Sequence, residues 1–138
     1  MVFTSCFSRV EDIRRADPTA VFMAVCGDIP SWFLDVLNAY SFRKVAPKLV
    51  WWQEWHEKFK GKYESDESRR WYGEKYRSTV LDTLDPREVY GKILLRCGDG
   101  KNAYLLCYEE PDKFCHRHML AAWLNLKLGL DIKEGQPQ

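Results

Sequence analysis

The chain has 138 residues, 46% of them hydrophobic and 30% charged, the balance of a soluble globular protein large enough to bury a core without disulfide or metal staples. Twenty-one Lys and Arg face 20 Asp and Glu, a formal charge of +1, which excludes a global pull onto phosphate backbones or anionic membranes. No apolar run of about 18 residues is present to span a bilayer, and Met1 to Cys6 lack the basic start and apolar core of a secretory signal, so a cytoplasmic protein with no membrane partner is expected.

In chain order, Val2 to Phe7 is short, apolar and rich in strand formers, and Ala20 to Cys26 is a continuous apolar run closed by Gly27-Asp28-Ile29-Pro30. Both read as strands buried on two faces. Between them Val10 and Ile13 fall at helical spacing among charges, which predicts a short crossover helix ending before Pro18. Trp32-Phe33 and Val36-Leu37 suggest a helical turn, and Tyr40 to Val45 reads as a linker. Pro47 opens a helix whose stripe is Leu49, Trp52, Trp55 or His56, and Phe59. A charged segment from Lys62 to Arg70 leads to a helix with Tyr72, Tyr76, Val80 and Leu84 four apart, although Gly73 weakens it. Asp85-Pro86-Arg87-Glu88 has a capping Asp, Pro at the first helical position and Glu at the third, so a further helix is predicted to reach Cys97. Ala103 to Cys107 is a strand, and Met119, Ala122, Trp123 and Leu126 form the stripe of a closing helix from about Cys115. Residues 133–138 read as a flexible tail. Strands separated by helices predict a single α/β domain over 1–138, a three-layer sandwich with a small, mostly parallel sheet flanked by helices.

In such sheets ligands collect beyond the carboxyl ends of strands, where the next helix presents free N–H groups. Cys107 to Cys115 is that junction. A helix from Cys115 places its sulfur on the line Cys115, Met119, Ala122 and Leu126, facing the sheet, with Arg117 pointing elsewhere on the first turn. A helix amino terminus and a neighbouring cation favour thiolate, and His116 or His118 can exchange the proton. Cys115 is therefore either a packed small residue or a nucleophile, and Cys107, ending an apolar strand, reads as core. Glu109 is either a solvated loop charge or the acceptor of a forked pair from Arg117.

Five cysteines, Cys6, Cys26, Cys97, Cys107 and Cys115, lie mostly inside apolar runs with no Cys-x-x-Cys pair, which argues against a disulfide scaffold. Cys107, Glu109, Cys115 and His116 are legitimate zinc ligands, but their spacing fits no standard zinc pattern, so neither metal nor cofactor is expected. Trp51, Trp52 and Trp55 beside Lys48, Lys58, Lys60 and Lys62 could stack nucleobases; helical spacing already explains them as a core stripe with solvated lysines. Gly-x-Gly-x-x-Gly, Walker-type, Gly-x-Ser-x-Gly and His-Glu-x-x-His motifs are absent.

Leu105-Leu106-Cys107-Tyr108-Glu109, a spacer, then Cys115-His116-Arg117 resembles the signature of the family of domain of unknown function 488. Phe7-Ser8 after a strand, Ile29-Pro30 after the second strand, Ala46-Pro47 before a Trp-bearing helix and the Tyr-rich helix before Leu81 resemble the family's order of elements over nearly the whole chain. The resemblance implies a compact α/β domain whose polar site residues are Cys107, Glu109, Cys115, His116 and Arg117; it implies no particular reaction. Two functions are therefore expected to compete. One is binding of a small anionic ligand, a nucleotide or modified base, or catalysis on it, with Cys115, His116 and Glu109 acting and Cys107 and Arg117 holding the ligand. The other is a non-catalytic nucleic-acid or protein-binding module using the Trp and Lys residues. Oligomeric state leaves no trace in the sequence.

Overall fold

Runs too short for a helix and too apolar for a solvent-facing strand become the sheet. The computed structural model describes residues 1–135. In it, β1 (Val2–Cys6), β2 (Val21–Ala24), β3 (Ala39–Ser41), β4 (Ala103–Cys107) and β5 (Lys133–Glu134) form an all-parallel sheet ordered β3-β2-β4-β1-β5. β2 and β4 are buried at every position, as strands covered on both faces must be. The β1–β4 register runs from Val2 opposite Ala103 to Cys6 opposite Cys107, so both strands end at one level.

Among the described residues five α-helices flank the sheet: α1 (Val10–Ala16), α2 (Leu49–Lys58), α3 (Asp66–Thr79), α4 (Pro86–Cys97) and α5 (His116–Leu128). Connections β1 to β2 and β2 to β3 step toward one sheet edge, whereas β3 to β4 and β4 to β5 step toward the other. Parallel crossovers are right-handed, so the two sets must cover opposite faces. Phe7, Val10, Ile13 and Phe33 accordingly pack with Phe22, Ala24 and Leu106, and residues of α2 to α5 pack with Val21, Met23 and Leu105. The chain is a three-layer α/β sandwich. β4 leads to one face while both its neighbours lead to the other, and this places the topological switch, where such sheets open a crevice, at the carboxyl end of β4. No helix among the described residues is long and apolar enough to cross a membrane.

The helix boundaries follow their caps. Asp85 accepts the Arg87 N–H at 2.9 Å with Pro86 opening α4, as its sequence predicts. α3 begins earlier than the Tyr stripe predicts, because Ser65 caps it by accepting from the Ser68 N–H; its polar first turn reads as loop since little of it is buried. Tyr40, expected in a linker, lies in β3, an edge strand of three residues. Residues 133 and 134, expected in a tail, pair with β1 opposite Phe3 and Thr4; the rest of that predicted tail, 136–138, lies outside the described residues. The α5 stripe is displaced: Leu120, Ala121 and Leu124 are buried, whereas Ala122 and Leu126 are exposed. The cause is the start of the helix at His116, with Cys115 in extended conformation as its N-cap.

Candidate functional site

β4 delivers Cys107 to the switch point, and the chain returns as a loop that enters α5 at His116. The loop is held from two sides. The Glu64 carboxylate, between α2 and α3, accepts the Phe114 N–H at 2.9 and 3.1 Å. Arg117, fully buried, donates from Nη1 to the Glu109 carbonyl at 2.6 Å and forks onto Glu134 of β5 through Nε at 3.2 Å and Nη2 at 2.9 Å. Thr4 donates to the same carboxylate at 2.6 Å. Such a bidentate charged pair fixes geometry as well as contributing energy.

This bears on two expectations. Arg117 belongs to the architecture of the loop and is not among the residues lining the cavity: Nε, Nη1 and Nη2 each donate, to Glu134 and to the Glu109 carbonyl. The guanidinium fork goes to the Glu134 carboxylate, and Glu109 supplies only its backbone oxygen. The Glu109 side chain is left exposed, on the wall of the cavity.

The cavity has a volume of about 370 Å³. Cys107, Cys115 and His116, all buried, line it on the sheet side, and Trp52, Trp55, His56, Tyr63, Tyr72 and Phe114 supply rings. Glu64, Glu109 and Lys113 complete the lining. The members of the ring wall pack against one another. Trp52 stacks on His56 at 5.1 Å, Trp55 lies 4.8 Å from Tyr63, and Tyr72 meets Phe114 edge-on at 5.0 Å. Trp51 and Trp55 are also core residues whose indole N–H groups are satisfied by Thr79 and Ser68. Trp51 is thus withdrawn from any stacking surface, and Lys58 sits over the Phe59 and Trp71 rings. Trp52, 37% exposed, is the Trp that reaches both solvent and cavity.

Within the cavity, His116 Nε2 lies 2.7 Å from the Val25 carbonyl. A carbonyl only accepts, so Nε2 carries a proton, and in the neutral tautomer that this selects Nδ1 presents a lone pair. That lone pair faces two thiols, Cys107 Sγ and Cys115 Sγ, each 3.9 Å away. The three atoms lie within 4.8 Å of one another. For Cys107 the strongest influence, the hydrogen bond from Cys115, favours thiolate, but the Cys26 thiol and burial outweigh it and push the group up to about 12. Cys115 is also raised, first by its hydrogen bond with Cys107 and then by burial, with His116 working weakly against this. Burial and the neighbouring sulfur thus favour the protonated form of both groups against the thiolate that a helix start and a nearby cation would favour, and the Arg117 charge is engaged by Glu134.

The fold thus brings Cys107, Cys115, His116 and the Glu109 side chain to one cavity and removes Arg117 from it. His118, on the first turn of α5, is half-buried beside Glu134 at 3.9 Å and does not line the cavity. Sequence reading passes over Glu134, Glu64, Tyr63 and Phe114. Glu134 lies in what reads as a tail, and Glu64 in what reads as a solvated run; the ring residues leave only the high aromatic content, 14%, as a signal. A second small polar group escapes it too, where Ser8 donates to Glu110 at 3.1 Å beside Cys6, tying the carboxyl end of β1 to the same loop.

No curated protein and no solved structure matches the chain. A family model does, over residues 26–128, a span that includes β4, the loop and α5 with Cys107, Glu109, Cys115, His116 and Arg117, and leaves out β1 and Glu134. With about three quarters of its length matched, the chain belongs to the DUF488-N3a family, described as the active DUF488-N3 subclade.

Proposed function

We propose that this protein binds a small planar molecule, a nucleobase alone or as its nucleotide, in the cavity beyond β4, and that chemistry on it occurs at Cys107, Cys115 and His116. The observation that carries the reading is a cavity of about 370 Å³ in which Cys107, Cys115 and His116 share the lining with a wall of rings. That volume suits a small ligand, and ring walls favour flat ones, since stacking on an aromatic contributes about 1–3 kcal/mol per base. Among the described residues Lys113 is the one Lys or Arg lining the cavity and is assigned to a phosphate; Arg117 is not. Glu109 is the carboxylate available to accept from a base edge or to exchange a proton. The family's description as an active subclade agrees with a reacting centre.

Equilibrium binding by calorimetry against free nucleobases and nucleoside monophosphates tests the reading. Wild-type protein is expected to bind at least one of them. Trp52→Ala should weaken that binding about 10–100-fold, and Lys113→Ala should weaken the monophosphate selectively. No binding across the panel, or binding indifferent to Trp52→Ala, overturns it. The non-catalytic stacking module loses ground on this geometry, because Trp51 is buried and Lys58 is engaged with rings of its own chain.

A further inference from the structure

We propose that Cys107, Cys115 and His116 form a mononuclear site for a soft divalent metal of the zinc class, with one coordination position open to the cavity. As a statement about the reacting centre it rests on the reading of the cavity as a binding site; the metal site stands on separate observations.

The first observation is distance. Bonds of about 2.3 Å to sulfur and about 2.1 Å to nitrogen at tetrahedral angles put neighbouring nitrogen and sulfur about 3.6 Å apart, and two sulfurs about 3.8 Å apart. Nδ1 stands 3.9 Å from each sulfur, and all three atoms lie within 4.8 Å. The nitrogen-to-sulfur pairs need to close by only a few tenths of an ångström, and the two sulfurs by at most about 1 Å, a rotamer adjustment of the two Cys side chains, to surround an ion. A cysteine pair destined only for a disulfide needs no third donor equidistant from both sulfurs.

The second observation is the imidazole. Metal-bound His almost always donates its other N–H to a carbonyl or carboxylate, which fixes tautomer and ring orientation. His116 meets that description through Nε2 and the Val25 carbonyl at 2.7 Å, with its ring further held edge-on by Tyr76 at 5.4 Å.

The third is charge. All three residues are buried, and an unpaired ion there would be costly. Two thiolates and a neutral imidazole on a divalent cation sum to zero, so the loaded site needs no further counter-ion, and the Arg117 charge is already matched by Glu134. Loading replaces two S–H bonds by two S–metal bonds, and both protons go to solvent. Three protein ligands with a cavity in front of them is the pattern of a catalytic zinc centre, in which the fourth position takes water or substrate. Glu109 lines the same cavity and is the carboxylate assigned to proton exchange there.

Chelator-stripped, reduced protein titrated with Co(II) tests the proposal. One equivalent should produce thiolate-to-cobalt charge transfer and the intense visible bands of a tetrahedral site, release about two protons per ion, and be displaced by Zn(II). Cys107→Ser, Cys115→Ser and His116→Gln should each weaken uptake at least roughly 100-fold, beyond the loss expected for an outer-shell change, with circular dichroism reporting that they remain folded. Cys97→Ser, on α4 with its thiol on the Lys101 carbonyl, should bind as wild type does. Absence of stoichiometric uptake by the wild type, uptake unaffected by the two Cys variants, or a Cys107–Cys115 disulfide formed in preference to metal binding overturns the site. Nucleobase binding measured in parallel on stripped protein separates the two readings: binding without metal uptake defeats this inference alone, and metal uptake without nucleobase binding defeats the proposed function alone.

Discussion

Arg117 braces a loop whose cavity it does not line. Its guanidinium, fully buried, holds the Glu109 carbonyl and the Glu134 carboxylate at once, so the loop after β4 and the last strand share one anchor. Removing one partner of a buried pair typically costs about 3–5 kcal/mol, because the other charge is left uncompensated. Glu134 keeps some contact with water, its side chain being 19% exposed, so Arg117→Met is expected at the lower end, about 3 kcal/mol. Glu134→Gln, which strands a cation with no exposure, is expected to cost at least as much. The double variant should be less destabilised than the sum of the singles, since it leaves no orphan charge. Urea denaturation of the three variants checks this; strictly additive losses would mean that the pair is not coupled.

At the scale of elements, β5 is the least conspicuous piece and one of the most constrained. Gly135 follows it, donating to the Thr4 carbonyl at 2.7 Å, and a Cβ there would meet Tyr104 Cε1 at 2.8 Å and Phe3 Cβ at 3.0 Å. The Tyr104 ring edge can shift, but it is stacked on Phe3 at 5.2 Å, so relief on one side loads the other. Gly135→Ala is expected to cost about 1–3 kcal/mol by overpacking and to loosen Glu134, seen as faster amide exchange along β5; unchanged stability would mean that the Phe3–Tyr104 stack yields freely. Strands buried on both faces, β2 and β4, are legible because continuous apolar runs have few other readings, and α4 is legible because Asp85 and Pro86 write its cap. β3 and β5 are not, since three and two residues carry no periodicity and edge strands need not be apolar. The site divides in the same way. Cys107, Glu109, Cys115 and His116 are legible as a cluster after a strand, whereas the role of Arg117 depends on Glu134, whose place beside β1 is a property of the sheet order. The α5 stripe is misread by one position because Cys115 caps the helix instead of belonging to it.

For the whole molecule, sheet order and charge placement together set a response to acid. The Arg117–Glu134 pair ties β5 to the switch-point loop, with His118 beside it, so protonation there acts on the architecture. Burial would raise the Glu134 carboxyl, but hydrogen bonds from Arg117 and Thr4 outweigh it and hold the group below its ordinary 4.5. His118 is held below its ordinary 6.5, first by burial and then by the Arg117 charge, with Glu134 opposing. In both cases the unfolded chain takes up a proton that the folded chain refuses, so stability is present above the unfolded value and lost as pH falls toward the folded one. The expected profile is a first decline beginning below about pH 6.5, from His118, and a second below about pH 4.5, from Glu134. His118→Gln should remove the first. Glu134→Gln should remove the second and deepen the first, because it deletes the carboxylate that favours the imidazolium. Urea midpoints measured from pH 7.5 down to 3.5 read both steps, on metal-free protein so that proton competition for the Cys and His ligands does not enter. A flat profile between pH 7 and 5, or a first decline that survives His118→Gln, would show that His118 titrates as it does in the unfolded chain.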